Sequence, residues 1–320
     1  MFSSASGAKP YLYRAFGLVF SSEVELYGVP QANPQSVPLL RIRFGDVSDS
    51  LPDAVDVGGF QRLSYEAKPG AVLIAVDGVG KYLVCRGSDI TIERETNVSF
   101  DQLRVYLMGS AFGALLQQRG MMPLHASAVR VGDLCVAFTG ESGAGKSTLA
   151  AFCRDRGYEV IGDDLCPMAI DPARGVVVWP GFARIKVWID ALGALGVSPE
   201  GLPRVVNKCD KFELPTSEQP GNSVPLRRLY ILQTEKNQSP GSATIERLGD
   251  SGSLESLLNN TYRYEFLKGL GLMERHFHTC VDALGSLSVC RLSQPWDLTR
   301  LNQTLDVLEQ DWKELHAEKS

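Results

Sequence analysis

The chain of 320 residues has no apolar run long enough to cross a bilayer, which excludes a helical membrane protein. Its first stretch, MFSSASGAKPYLYR, lacks the charged start and apolar block of a secretory signal. There is no CxxC pair. The seven cysteines are odd in number and stand singly in apolar settings such as LCVAF and YLVCR, so reduced buried thiols and a cytoplasmic location are expected rather than disulfides or a zinc site. There is no basic excess either: 32 Lys and Arg stand against 37 Asp and Glu, a net charge of -5, which argues against a nonspecific nucleic-acid or membrane-surface partner. No internal repeat and no low-complexity tract is present. What remains is 44% hydrophobic, enough to bury the core of one large or two ordinary domains.

Residues 1–120 read as a β-rich region. LLRIRF (39–44), AVLIAV (71–76), KYLVC (81–85) and DITIE (89–93) are short apolar or alternating runs bounded by Gly, Asp and Pro, and VDGVG between two of them predicts a hairpin. SFDQLRVYLMGSAFGALLQQRG (99–120) predicts a helix with Leu103, Leu107 and Leu115 near one face and Gly120 at its end, and a domain boundary follows there. Residues 121–320 alternate strand and helix. AVRVG and LCVAFTG predict two strands joined at Gly132-Asp133, and KSTLAAFCRDRG (146–157) a helix ending in glycine. YEVIG (158–162), VVVWP, ARIKVWI, VPLRRLYILQ (224–233), ATIERL (243–248) and LSVCRL predict further strands, and SLESLLNNTYRYEFLKG and ERHFHTCVDALG helices. Leu298, Leu301, Leu305, Leu308, Trp312 and Leu315 step by three or four, an amphipathic helix. The fold class is α/β with a central sheet.

One motif carries chemistry. Gly140, Glu141, Ser142, Gly143, Ala144, Gly145, Lys146 and Ser147 fit GxxxxGK[ST], with Thr148 next on the helix, a strand before and a helix after. Glycines let the backbone turn tightly with its N–H groups inward, and the helix start favours an anion. Lys146 then reaches the β- and γ-phosphates of a nucleotide, and Ser147 ligates Mg²⁺. The reaction is narrowed by what is missing. No LSGGQ-like stretch of a transporter ATPase is present, and Asn207-Lys208-Cys209-Asp210 matches the GTPase base reader by letters only, with no strand before it.

Asp163 and Asp164 end the next strand, YEVIGDD. If that strand neighbours the one entering the loop, the pair lies beside the phosphates, and strand alternation points the two carboxylates to opposite faces. One would accept a proton from an attacking hydroxyl and the other hold Mg²⁺; an ordinary Asp-Asp turn is the alternative. Arg184 and Lys186 share one face of ARIKVW and form a candidate cation pair for the transferring group, the alternative being an edge strand with solvated charges. Lys208 and Lys211 in NKCDKFELP are weaker candidates. His276 and His278, two apart on a helix, do not face each other and make no metal site, and the aromatics of TYRYEF read as helix packing.

HASAVRVGDLCVAFTGESGAGKSTLA followed by VIGDD resembles the HPr kinase/phosphorylase family, whose kinase domain shares its topology with phosphoenolpyruvate carboxykinases. The resemblance is close over residues 121–166, where His125 precedes Gly140 by fifteen residues and Asp163 follows Lys146 by seventeen. More loosely the whole chain is similar to HPr-kinase-like serine kinases, in PLRRLYIL and in RLSQPWDLTRL, some of which accompany clusters for ribosomally made peptides, including lasso peptides, and phosphorylate the precursor. The resemblance implies a P-loop kinase domain of that type at 121–320 behind a β-rich N-terminal part, ATP and Mg²⁺ as cofactors, and a protein or peptide substrate carrying a serine. It implies Asp163 as general base, Asp164 with the metal, and His125 beside both carboxylate and phosphates. Members are often oligomeric, so a homo-oligomer is among the expectations. The Arg-Gly-Leu-Gly stretch of the bifunctional enzymes is absent, and VVVWPGFARIKVWID stands in that region, which argues against phosphorolysis of phosphoserine and against HPr itself as substrate. A kinase for a small metabolite alcohol and a non-catalytic nucleotide sensor stay open, as does a donor such as GTP or pyrophosphate.

Overall fold

The computed structural model describes residues 10–206, 209–217, 221–235 and 242–317. Alternation of buried and exposed side chains, as in LRIRF, builds the first sheet from β1 (Tyr11–Ala15), β2 (Leu18–Ser22), β3 (Leu40–Phe44), β4 (Val55–Phe60), β5 (Leu63–Lys68), β6 (Ala71–Val76), β7 (Gly80–Cys85) and β8 (Asp89–Arg94). Their order is β1-β2-β3-β8-β7-β6-β5-β4, and β6–β7 is the hairpin expected around VDGVG. Ser99 and Gln102 form a capping box that starts α1 (Phe100–Tyr106). A π-helical turn, Leu107–Ala111, interrupts the expected single helix before α2 (Phe112–Gln118).

Position 120 marks a change of sheet but not of core. Leu165, Phe182, Phe266 and Leu270 belong to the same buried cluster as Phe16, Phe20 and Phe112. The seam is tight where the helix α6 (Phe266–Leu270) sits on β5: a Cβ on Gly269 would lie 2.4 Å from the Ala67 Cβ and 2.7 Å from its carbonyl oxygen. Gly269→Ala is therefore expected to cost about 1–3 kcal/mol, read as a lower midpoint in urea unfolding.

The second sheet contains β9 (Met122–Leu124), β10 (Ala126–Val131), β11 (Leu134–Thr139), β12 (Val160–Gly162), β13 (Cys166–Asp171), β14 (Gly175–Val178), β17 (Val224–Glu235), β18 (Thr244–Arg247) and β19 (Ser288–Pro295), while β15 (Arg184–Trp188) and β16 (Lys211–Pro215) form a separate ribbon. The long β17 is central, parallel to β11 on one side and to β19 on the other. Strands buried on both faces read as continuous apolar runs, and every residue of β11, LCVAFT, is buried. The helices are α3 (Lys146–Asp155), α4 (Ile189–Ala194), α5 (Asp250–Asn259), α6 (Phe266–Leu270), α7 (Met273–Ala283) and α8 (Leu301–Ala317). The fold is mixed α/β with several sheets. No helix among the described residues is long and apolar enough to cross a membrane. All seven cysteines are free thiols.

Three expectations change. The strand carrying VIG does not neighbour the loop strand: β12 pairs with β10, which lies between β12 and β11. SLESLLNNTYRYEFLKG is not one helix, since α5 ends at Asn259 and Arg263, with φ of +53°, breaks the path before α6. KFELP, for which no strand was expected, is β16, which pairs with β15 over its whole length; β13 also had no sequence signal.

Candidate active site

The turn after β11 brings residues 140–145 over the start of α3. Gly140 has φ of +137°, where side chains are strained, and a Cβ there would lie 2.9 Å from the Leu232 carbonyl oxygen of β17. Lys146 opens α3, and its Nζ donates to the carbonyl oxygens of Gly140 (2.9 Å) and Glu141 (3.0 Å). Burial lowers its pKa, against the opposing pull of Asp164 and Asp163. Ser142, Gly143, Ala144, Gly145, Lys146, Ser147 and Thr148 line one wall of a cavity of 690 Å³; Gly140 and Glu141 stand behind it.

His125, Asp164 and Lys186 line the same cavity. Asp163 is not among them. Its Oδ1 accepts from the Ser127 hydroxyl at 2.6 Å, its Oδ2 from the Lys186 backbone N–H at 2.8 Å, and it is 9% exposed. Each oxygen takes one bond in joining β10 to β15, and Asp163, unlike Asp164, is not part of the cavity lining. The pair diverges, but not by strand alternation: β12 ends at Gly162, and Asp164 turns away because its φ is +72°, a left-handed conformation that Asp tolerates better than most residues. Asp164 Oδ2 accepts from Lys186 Nζ at 2.6 Å, and Oδ1 lies 3.3 Å from His125 Nδ1. Burial pushes the Asp164 carboxyl up; the Lys186 and His125 contacts outweigh it and hold the group well below the usual carboxylate range.

His125 is fixed from several sides. Its Nδ1 is also 3.2 Å from the Asp164 carbonyl oxygen, so the proton belongs on Nδ1, and its backbone N–H donates to the Asn260 carbonyl. The Thr139 hydroxyl, last on β11, lies between the His125 carbonyl (2.8 Å) and Asn260 Oδ1 (2.9 Å). Tyr262, whose ring centroid is 5.8 Å from that of His125, stands in the break between α5 and α6 and not in a helix as TYRYEF suggested. Asn260 and Tyr262 escaped the sequence reading because they come to the site only through this break.

Arg184 and Lys186 are not a pair at the cavity. Arg184 is 6% exposed, and its Nη1 donates to Glu213 Oε1 at 2.5 Å, while Arg104 Nη2 donates to Glu213 Oε2 at 3.2 Å. The sequence placed both cations on one face, but Glu213, shared with Arg104 of α1, holds the Arg184 guanidinium, and Gly28 lies against its side chain. Lys211 does line the cavity, with its Nζ 5.5 Å from the Trp188 ring centroid; Lys208 lies outside the described residues. His276 is buried against Thr261 at 3.2 Å, whereas His278 is exposed beside Glu274.

No protein-family model matches the chain, and no curated protein matches it. Among solved structures it is similar to the Hpr(Ser) kinase/phosphatase from Coxiella burnetii, at 15% identity over 60% of this chain and 98% of that one, with a TM-score of 0.29. So low a score decides nothing about activity, and the site is read from its own residues.

Proposed function

We propose that the chain is a Mg²⁺-dependent phosphotransferase that passes the γ-phosphoryl group of ATP to a serine hydroxyl of a protein or ribosomally made peptide. One observation carries the reading: a glycine-rich loop at the start of α3 lines the same cavity as an ionised carboxylate clamped between His125 and Lys186. Phosphoryl transfer asks mainly for positioning and charge compensation, and these groups provide both. Backbone N–H groups of residues 142–148 cradle the phosphates. Lys146, which now caps two loop carbonyls, exchanges them for phosphate oxygens. The Ser147 hydroxyl suits Mg²⁺, a hard cation that takes oxygen ligands and keeps several waters; when bound it would offset charge on the β- and γ-oxygens. The proton-accepting role expected of Asp163 passes to Asp164, the member of the pair that faces the cavity, in place of the metal-holding role expected of it. Asp163, Ser127 and His125 are positioning residues: they set the Lys186 backbone and the Asp164 carboxylate. Arg184 has no part in the transfer.

The serine acceptor rests on the sequence resemblance, and a direct assay decides it. Purified protein with Mg²⁺ and γ-labelled ATP is offered serine-containing peptides and, separately, a panel of small alcohols. Label on a peptide serine, lost in Asp164→Asn, is the expected result. Label confined to an alcohol would replace the substrate class, and no transfer to either set despite tight nucleotide binding would favour a sensor.

The loop itself gives an independent check. Gly140→Ala forces a side chain into a glycine-only conformation against the Leu232 carbonyl. We expect Mg·ATP affinity by titration calorimetry to fall by roughly 10–100-fold. An unchanged affinity would mean that the loop does not hold the phosphates.

A further inference from the structure

The half of the cavity away from His125 and Asp164 has a different character. Lys186 and Trp188 share a face of β15, so Trp188 stands about 6–7 Å beyond the chemistry end. Trp188 and Ile189 are 47% and 44% exposed, and Trp296, across the cavity, is 56% exposed. Leu298 and Leu301 line the same cavity, and α4 packs against the turn 298–300, which brings the Ile189 and Leu298 segments together. Although the Lys211 ammonium lies over the Trp188 ring, about half of each of these three side chains is exposed around one cleft, as at a ligand-binding surface.

The polar groups at this end sharpen the point, because nearly all of them are engaged. Asp297 accepts from the Thr299 N–H and hydroxyl, Asp190 from the Ala191 N–H, and Asp210 from Arg204. Gln294 differs. It lines the cavity, is only 5% exposed, and its Oε1 is buried with no hydrogen-bond partner. Its Nε2 lies 3.7 Å from where a Cβ on Gly145 would stand, directly beside the phosphate loop. An unmade buried hydrogen bond is costly, and a group held in that state at the floor of an apolar slot is poised for a ligand.

Building on the nucleotide reading above, we infer that this slot takes the purine ring of the donor. Trp188 and Ile189 on one wall and Trp296, Leu298 and Leu301 on the other cover the faces of the base, and the Gln294 carboxamide bonds its polar edge. Flat aromatic walls gain most from a two-ring base. A carboxamide offers one donor and one acceptor and can turn half a revolution, so it meets the edge of adenine or guanine alike. The slot therefore selects purine over pyrimidine nucleotides and does not by itself separate ATP from GTP.

The test measures Mg²⁺-dependent binding of ATP, CTP and inorganic tripolyphosphate by calorimetry, in wild type, Gln294→Leu and Trp296→Ala. Gln294→Leu keeps volume and removes an unpaired buried polar atom, so its melting temperature should be at or above that of wild type. The expected result is tighter binding of ATP than of CTP or tripolyphosphate in wild type, and a loss of about tenfold for ATP in each variant with tripolyphosphate unchanged. Equal losses for ATP and tripolyphosphate would make these side chains supports of the loop and overturn the inference. So would unchanged ATP binding in both variants, or equal wild-type affinity for ATP and CTP. Wild type that binds neither ATP nor tripolyphosphate would sink the nucleotide reading itself, and the slot assignment with it.

Discussion

Asp164→Asn is expected to lower the rate of phosphoryl transfer by about 10³-fold while changing Mg·ATP affinity little. The substitution keeps size and tolerates the left-handed backbone at φ of +72°, but it removes the acceptor for the hydroxyl proton. Asp163→Asn should behave differently. An amide at that position can accept from Ser127 or from the Lys186 N–H, but it turns an NH₂ toward the other donor. The result should be a loss of stability of about 1–3 kcal/mol with partial activity. If instead Asp163→Asn abolishes transfer at full stability and Asp164→Asn does not, the two roles are reversed. The pH dependence follows from the same contacts. The Asp164 carboxyl is held well below its usual value, so it contributes stability above the unfolded pKa of about 3.9, lost only as pH falls through the lower folded value. It stays ionised from pH 8 down to about 5, and kcat should show no acid limb from this group in that window. An acid limb in that window that disappears in Asp164→Asn would contradict the lowering of its pKa by Lys186 and His125, though not its role as proton acceptor.

Much of this site is readable along the chain, because much of it is local. The loop needs only its own glycines, the strand before it and the helix after it, and β11 announces itself as a continuous apolar run, buried along its whole length. The carboxylate pair is visible too, but which member faces the cavity is not. That choice depends on a left-handed turn at Asp164 and on Ser127 and Lys186 claiming Asp163, contacts that span 36 and 23 residues. The same holds for Arg184. Strand periodicity correctly puts it on the face of Lys186, yet Glu213, which it shares with Arg104 of the first region, claims its guanidinium. Gln294 and Trp296 sit inside RLSQPWDLTRL, a stretch noticeable in sequence, but the missing partner of a buried carboxamide exists only in three dimensions.

The cluster that removes Arg184 from the chemistry should matter most for stability. Glu213→Ala leaves two guanidinium groups, Arg184 at 6% and Arg104 at 4% exposure, without their shared carboxylate. The expected cost is about 3–5 kcal/mol, enough to unfold a large share of a marginally stable chain. The damage should also reach the site, since Glu213 pairs across the ribbon with Lys186, whose ammonium holds Asp164. The charge itself is not what the fold needs. Replacing all three groups with apolar residues of similar volume, Arg104→Met, Glu213→Leu and Arg184→Met, removes the desolvation cost together with the attraction and should recover most of the lost stability. Urea unfolding of the single and triple variants separates the two ideas. Recovery in the triple variant, with transfer restored, would make the cluster a brace between α1 and the β15–β16 ribbon. Recovered stability with transfer still abolished would show that the charges of this cluster contribute to the reaction after all.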